Sequence, residues 1–256
     1  MMATGKGKEL LEELRWRGLV AQTTDEKALI EQLDKPTTVY LGIDPTAPSI
    51  HCGNLVVLLV LKRMQQFGHT PIALVGGSTG LVGDPSGKSE ERSFNDEEVV
   101  KEWVERIRKQ VSKFLDFDAK GNGAIAVNNY DWTKEYSALR LLREIGKHFS
   151  VNQMLSKDSV QSRIEANGIS YTEFSYQVLQ GLDYLELYRR HDCTLQIGGS
   201  DQWGNIVAGL DLIRKVEGGS AHCLTSPLLV KSDGSKFGKT ASGTVWLDPE
   251  IGRAHV

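Results

Sequence analysis

The chain has 256 residues, 40% of them apolar, and a formal net charge of -3, enough for one substantial core or for one core with a smaller appendage. That charge argues against coating DNA or an anionic membrane through the overall field, so any contact with RNA must be local. No window approaches the roughly 18 uninterrupted apolar residues of a membrane span, and "MMATGKGKELLEELRW" lacks the apolar centre of a secretory signal, which predicts a soluble, cytoplasmic protein.

The first 36 residues carry helical periodicity, with Leu10, Leu11 and Leu14 and then Ala28, Leu29 and Leu33 on apolar faces separated by the turn-like "AQTTD". They read as a helical packing arm. From Thr37 the pattern changes: "TTVYLGI" is a strand, "NLVVLLVLKRMQQFG" a helix closed by Gly68, and "PIALV" a second buried strand. Such a βαβ unit is right-handed and joins parallel strands, so the expected fold is α/β, a Rossmann-like doubly wound parallel sheet over residues 37–231. A helix is expected near Asn95, with Asn95 and Glu98 as a capping box and Val99, Val100, Trp103, Val104, Ile107, Val111 and Leu115 as its apolar stripe. "AIAVNNYDW" is a third strand, and a helical insertion spans about 133–168. Helices at "TEFSYQVLQGLDYLELYRR" and "DQWGNIVAGLDLIRKVEG" flank a fourth strand, "CTLQIGG". Residues 232–247 are rich in Gly, Ser and Lys and read as a mobile loop, followed by a short tail, 248–256.

Cys52, Cys193 and Cys223 lie far apart without a C-x-x-C pair, which suggests neither a disulfide framework nor a thiolate site. His191 and His222, near Cys193 and Cys223, are weighed as zinc ligands and set aside, because metal sites need convergent ligand sets. No metal site is expected.

In an open parallel sheet ligands bind outside the carboxyl ends of the strands, and the unusual residues fall there. They are "GIDPTAPSIHCGN", "GGSTGLVGDPSGK", "NNYDW" and "GGSDQWGN". "GDPSGKS" is not a P-loop, since three residues rather than four separate Gly83 from Gly87. In the first of these segments Pro45 and Pro48 stiffen the exit from the strand. His51 is presented at a helix N-terminus that already favours anions, and Gly53 has no Cβ to keep an adenine-sized ring off the backbone.

His51-Cys52-Gly53-Asn54, together with Lys236-Phe237-Gly238-Lys239-Thr240, resembles the paired HIGH and KMSKS signatures of class I aminoacyl-tRNA synthetases. With "YLGIDPTAPSIHCGN", "GDPSGK", "NNYDW", "TEFSYQVLQGLDYL" and "LQIGGSDQWGNI" in order, nearly the whole chain looks like a bacterial-type tyrosyl-tRNA synthetase. The resemblance implies activation of L-tyrosine by ATP, with accompanying Mg2+, to tyrosyl-adenylate and pyrophosphate, then transfer to tRNA(Tyr). The substrate carboxylate is already ionised, so attack on the α-phosphorus needs alignment and charge neutralisation but no general base. Thr46, His51, Lys88, Arg92, Lys236, Lys239 and Thr240 would neutralise the leaving group.

By the same resemblance Tyr40 and Asp183 would meet the phenolic hydroxyl, and Asp84, Tyr176 and Gln180 would hold the α-ammonium group. Gly42, Asp44, Gly53, Asn54, Gly199, Asp201 and Gln202 would line the adenylate, with Asp201 near the ribose. Asn54 replaces the last His of the signature but still donates a hydrogen bond, so ribose contact is expected to survive. Leu41 stands where some relatives have a polar or thiol side chain, so one ribose contact is expected to be missing. "KFGKT" keeps both lysines and a hydroxyl. The insertion looks like the family's dimer-forming segment, which implies a homodimer. Relatives continue past "TVWLD" into an anticodon-binding domain, so this chain is expected to be truncated, able to make the adenylate and poor at charging tRNA. The rival expectations are a tryptophanyl-tRNA synthetase, another adenylyltransferase of the superfamily, and a catalytically silent RNA-binding protein on the same scaffold.

Overall fold

The computed structural model describes residues 5–85, 96–166, 168–230 and 244–252. In chain order it places α1 (Lys6–Trp16), β1 (Gln22–Thr23), α2 (Glu26–Leu33), β2 (Thr38–Ile43), α3 (Cys52–Gln66), β3 (Thr70–Val75) and α4 (Thr79–Val82). These are followed by α5 (Glu97–Val111), β4 (Ile125–Asn128), α6 (Tyr130–Thr133), α7 (Ala138–Arg140), α8 (Val151–Leu155) and α9 (Asp158–Ala166). Then come α10 (Tyr171–His191), β5 (Cys193–Gly199), α11 (Trp203–Glu217), β6 (His222–Ser226) and α12 (Pro249–Gly252). The described strands form one sheet in the order β1-β6-β5-β2-β3-β4, parallel except for β1 on β6.

β2 lies between β3 and β5, with Tyr40 opposite Ile72 on one side and Gln196 on the other. Its alternation sorts the side chains. Val39, Leu41 and Ile43 join the core under α1, α2, α3 and α5, whereas Tyr40 faces the other core, with Leu182, Tyr184, Ile206 and Leu212 of α10 and α11. Strand order therefore reverses on either side of β2, so the crevice above β2 and β5 is the switch point where such sheets bind ligands.

The N-terminal helices are integral to the first core. Leu10, Leu11, Leu14, Leu29 and Leu33 are all essentially sealed from solvent, and burial of each such side chain is worth roughly 1.5–3 kcal/mol. Asp25 caps α2 by accepting from the Ala28 amide at 3.1 Å. Gly68, at φ +94, ends α3 as its sequence predicts.

Three local readings change. "AQTTD" contains β1, which pairs with β6, a strand the sequence reading did not separate from the following loop. α5 starts at Glu97 after an N-cap at Asp96 that makes no side-chain cap bond, while Asn95, half of the expected capping box, lies outside the described residues. Gln110 and not only the apolar stripe of α5 is buried. The expected insertion is helical, with a π-helical turn at Leu141–Ile145, and a buried Arg163–Glu173 ion pair at 2.7 Å ties α9 to the first turn of α10.

No helix among the described residues is long and apolar enough to cross a membrane. Among the same residues no group of three or more His, Cys, Asp or Glu gathers in a way that could hold a metal ion.

Candidate active site

The crevice is built from the loops that leave β2, β3, β4 and β5. Gly76 and Gly77 follow β3 because a Cβ on Gly76 would come within 2.2 Å of both Asp44 Oδ1 and Thr79 Oγ1, and one on Gly77 within 2.3 Å of Asn128 Oδ1. The bare backbone lets two loops close on each other. The Gly77 and Ser78 amides then donate to Asn128 Oδ1 and Asn129 Oδ1 at 3.2 and 2.8 Å.

A continuous hydrogen-bonded chain crosses the crevice floor. Asn129 Nδ2 donates to Asp183 Oδ2 at 2.9 Å and to Thr79 Oγ1 at 3.0 Å. The Thr79 hydroxyl donates to Asp44 Oδ1, and the Tyr176 hydroxyl to Asp44 Oδ2, each at 2.6 Å. Trp132 Nε1 donates to Asp183 Oδ1 at 2.9 Å. The loop after β2 and helices α4, α6 and α10 are thereby held in one frame.

At one end of this chain Asp183 is 3% exposed. Burial pushes its carboxyl up to about 7, against the opposing pull of the Asn129 and Trp132 donors, and Asp44 and Glu186 add to the rise. Burial and the Asp183 charge also hold the Tyr40 hydroxyl well above the ordinary phenol range. The Tyr40 hydroxyl, Gln180 Oε1 and Gln196 Oε1 are buried polar atoms with no hydrogen-bond partner among the described residues. Gln196 is the register neighbour of Tyr40, and Gln180 lies one turn before Asp183 on α10. Orphaned buried donors and acceptors are costly. Their concentration here fits a pocket whose remaining partner is a polar ligand.

Asp84 accepts from Gln202 Nε2 at 2.7 Å, joining the loop after β3 to the turn after β5. Lys157, from the helical insertion, donates to the Gly204 carbonyl at 2.7 Å and to Gln177; burial lowers its ammonium to about 8, and Asp84 pulls the other way. A Cβ on Gly199 would lie 2.8 Å from Asp201 Oδ1, so that carboxylate sits directly beside the end of β5. Gly42 and Asp201 are exposed, and Thr46 is half-buried with its amide on the Asp44 carbonyl at 2.9 Å.

His51 occupies the N-cap of α3, and its imidazole is the cap. Nδ1 accepts from the Gly53 and Asn54 amides at 3.0 and 3.4 Å, and the His51 amide donates to Asn54 Oδ1 at 3.1 Å. An acceptor Nδ1 fixes the tautomer with the proton on Nε2. The Asn54 side chain is thus shared between the cap and whatever its Nδ2 donates to.

Residues 32–254 match the family described as tRNA synthetases class I (W and Y). The chain belongs to that family. It is 58% identical over 246 residues to the tyrosine–tRNA ligase of Acidothermus cellulolyticus, an alignment covering 94% of this chain and 58% of that protein. It is 60% identical over 244 residues to the tyrosine–tRNA ligase of Bacillus caldotenax, again covering 94% and 58%. The chain therefore spans less than two thirds of the length of these relatives. Among solved structures, a C-terminally truncated mitochondrial tyrosyl-tRNA synthetase of Aspergillus nidulans superposes with a TM-score of 0.82 at 28% identity, over 94% of this chain and 72% of that one.

Of the synthetase residues expected from sequence, Tyr40, Asp44, Asp84, Tyr176, Asp183 and Gln202 are linked in the crevice by hydrogen bonds or charge. Lys88, Arg92, Lys236, Lys239 and Thr240 lie outside the described residues. The sequence reading missed Thr79, Asn129, Trp132, Lys157 and Gln196. "NNYDW" stands among the segments expected at the ligand-binding end of the sheet, but nothing in its spacing shows that two of its side chains converge on residue 183.

Proposed function

We propose that this chain activates L-tyrosine with ATP, giving tyrosyl-adenylate and pyrophosphate, and that the whole protein then transfers the tyrosyl group to tRNA(Tyr) in the cytoplasm. The observation that carries the reading is the orphaned Tyr40 hydroxyl beside the buried Asp183 carboxylate. Together they supply a donor and an acceptor for a phenolic hydroxyl, a pair that an indole ring, with only an N–H to donate, would leave half unsatisfied. Asp84, Tyr176 and Gln180 would receive the α-ammonium group. Asp44, Asp201 and Gln202, with Gly42, Gly53, Asn54 and Gly199, would border the nucleotide.

In the reaction a tyrosine carboxylate oxygen bonds to the α-phosphorus as the bond from that phosphorus to its bridging oxygen breaks, and the electron pair leaves on pyrophosphate. The protein aligns the two and offsets charge on the leaving group. His51 Nε2–H and the Thr46 hydroxyl are the described donors for that task. Lys88, Arg92, Lys236, Lys239 and Thr240 are proposed to act with them. Magnesium would arrive on the triphosphate as part of the substrate, because Mg2+ is commonly held by phosphate oxygens and water with one or two protein ligands at most.

Tyrosine-dependent exchange of labelled pyrophosphate into ATP tests the reading. Exchange is expected with tyrosine and at background with tryptophan or phenylalanine. Exchange driven by tryptophan, or by none of the three, would overturn it.

We also propose that the chain is a homodimer through the helical insertion. Leu139, Leu142, Val151 and Tyr171 are 81%, 54%, 57% and 71% exposed, and Ile164 is 48% exposed. That is a concentration of bare apolar side chains a monomer rarely displays. Light scattering at micromolar concentration should give twice the chain mass, and Leu139→Glu with Leu142→Glu should halve it. A wild-type monomer would refute the proposal.

A further inference from the structure

Gln110 is 8% exposed on a helix whose neighbouring polar residues face water. Its carboxamide is spent on three consecutive residues just before His51. Oε1 accepts from the Ser49 hydroxyl and from the Ile50 amide, both at 3.0 Å, and Nε2 donates to the Pro48 carbonyl at 3.4 Å. A segment that leaves a strand through Pro45 and Pro48 has no ladder of its own to satisfy these groups, so one buried amide supplies the backbone partners that secondary structure would otherwise provide.

The same short segment is held from its other side. Cys52 donates to the Val245 carbonyl at 3.1 Å, Leu247 to the Ile50 carbonyl at 2.9 Å, and the Asp248 amide to the Ser49 hydroxyl oxygen at 3.0 Å. His51 and Trp246 form an isolated antiparallel bridge, and their rings meet edge to face with centroids 6.0 Å apart. Ser49 is therefore the junction. Its single hydroxyl proton is shared between Gln110 Oε1 at 3.0 Å and the Ile50 carbonyl at 2.9 Å, and its oxygen accepts from the Asp248 amide, so α5, the segment before His51 and residues 244–248 share one small hydrogen-bonded unit.

We propose that Gln110 is a positioning residue for His51: acting through Ser49 and Ile50, it sets where the imidazole stands above the nucleotide side of the crevice. Gln110 touches no reacting atom. Its effect is on alignment, and a displacement of about 1 Å at a reacting group can cost about 10²-fold in rate. Amide and hydroxyl bonds in a buried site hold position better than apolar packing, because their geometry is directional and breaking one leaves a costly orphan.

The inference rests on the adenylate-forming reading, and the test separates the two. Gln110→Met keeps the side-chain volume and removes all three bonds. In pyrophosphate exchange it is expected to lower kcat at least tenfold while the tyrosine KM stays within twofold. Val104→Ala, a void in the core under the same helix, is the stability control; it is expected to lower Tm by a similar amount and to leave kcat within twofold. Ser49→Ala combined with Gln110→Met should be little worse than Gln110→Met alone, since both cut the same connection. The imidazole 15N spectrum, assigned with His51→Asn, reads position without any turnover. Wild-type His51 should show a single tautomer protonated at Nε2, and Gln110→Met should show averaging toward a tautomer mixture. Should Gln110→Met fail to fold, Ser49→Ala alone decides, with a drop in kcat of threefold or more and the same spectral averaging expected. An unchanged His51 spectrum, a kcat loss matched by Val104→Ala, or independent multiplicative losses in the double variant would each overturn the proposal. Absence of exchange in the wild-type protein would count against the adenylate-forming reading and leave the spectral test of Gln110 to stand by itself.

Discussion

Replacing Asp183 with Ala is expected to lower the preference for tyrosine over phenylalanine by roughly 10²-fold in kcat/KM for pyrophosphate exchange. A hydrogen bond to a charged partner contributes about 1.5–3 kcal/mol net, and only the substrate with a hydroxyl makes it. Asp183→Asn should be nearly as damaging, because its amide must use its single oxygen for Asn129 or Trp132, both of which now donate to the carboxylate. The charge state adds a second, independent signature. The folded carboxyl stands at about 7, raised from 3.8 mainly by burial, and only the ionised form accepts a hydrogen bond from the phenol while keeping both protein donors. Tyrosine affinity should therefore fall as pH drops below about 7.

Stability should move the opposite way. A carboxyl whose folded value is raised favours the folded state at low pH, and that contribution is lost as pH rises through the folded value. The wild-type protein should gain Tm relative to Asp183→Asn between pH 8 and pH 6. Unchanged discrimination by Asp183→Ala would remove the residue from the pocket, and a Tm difference flat across that window would show that it is ionised throughout.

Where the sequence was readable, it was readable for local reasons. The β-branched and aromatic run "TTVYLGI" predicts a strand, and the two-residue period of a strand puts Tyr40 on the face opposite Val39 and Leu41. Gly68 closes α3 because its backbone takes a conformation side chains disfavour. Much of the site, by contrast, depends on contacts between residues far apart in the chain. Tyr176 reaches Asp44 across 132 positions, and Trp132 reaches Asp183 across 51. No spacing rule encodes such pairs. They follow from strand order, which was itself only partly legible because β1 is two residues long and β6 runs straight into a proline-containing loop.

Gln110 stands between these cases. It follows Ile107 by three positions, at the spacing that puts a residue on the buried face of α5, yet a stripe drawn from apolar residues alone passes over it. The period could not say why a polar residue belonged there. That reason is the unsatisfied backbone of the segment from Pro48 to Ile50, and it appears only once α5 is packed against that segment. Likewise the HIGH-like signature located His51 without showing that its imidazole closes the helix it begins.

That double duty makes His51 separable into two functions by substitution. His51→Asn is expected to slow activation by roughly 10²–10³-fold, the usual cost of deleting one donor to charge that develops in a transition state. The helix should be little affected, since Asn is among the best N-cap residues and its side-chain oxygen can take over the Gly53 and Asn54 amides. His51→Ala removes donor and cap together. It should match the rate loss and add a stability loss of about 1 kcal/mol, seen as a Tm lower by roughly 2–4 °C for a chain of this size. Tyrosine affinity should be unchanged in both, because neither variant disturbs the chain of bonds from Asp183 to Asp44. Thermal unfolding and single-turnover adenylate formation measure the two effects separately. Near-normal turnover in His51→Asn would mean that the imidazole serves α3 alone, and equal Tm losses in the two variants would mean that the capping bonds contribute nothing to the fold.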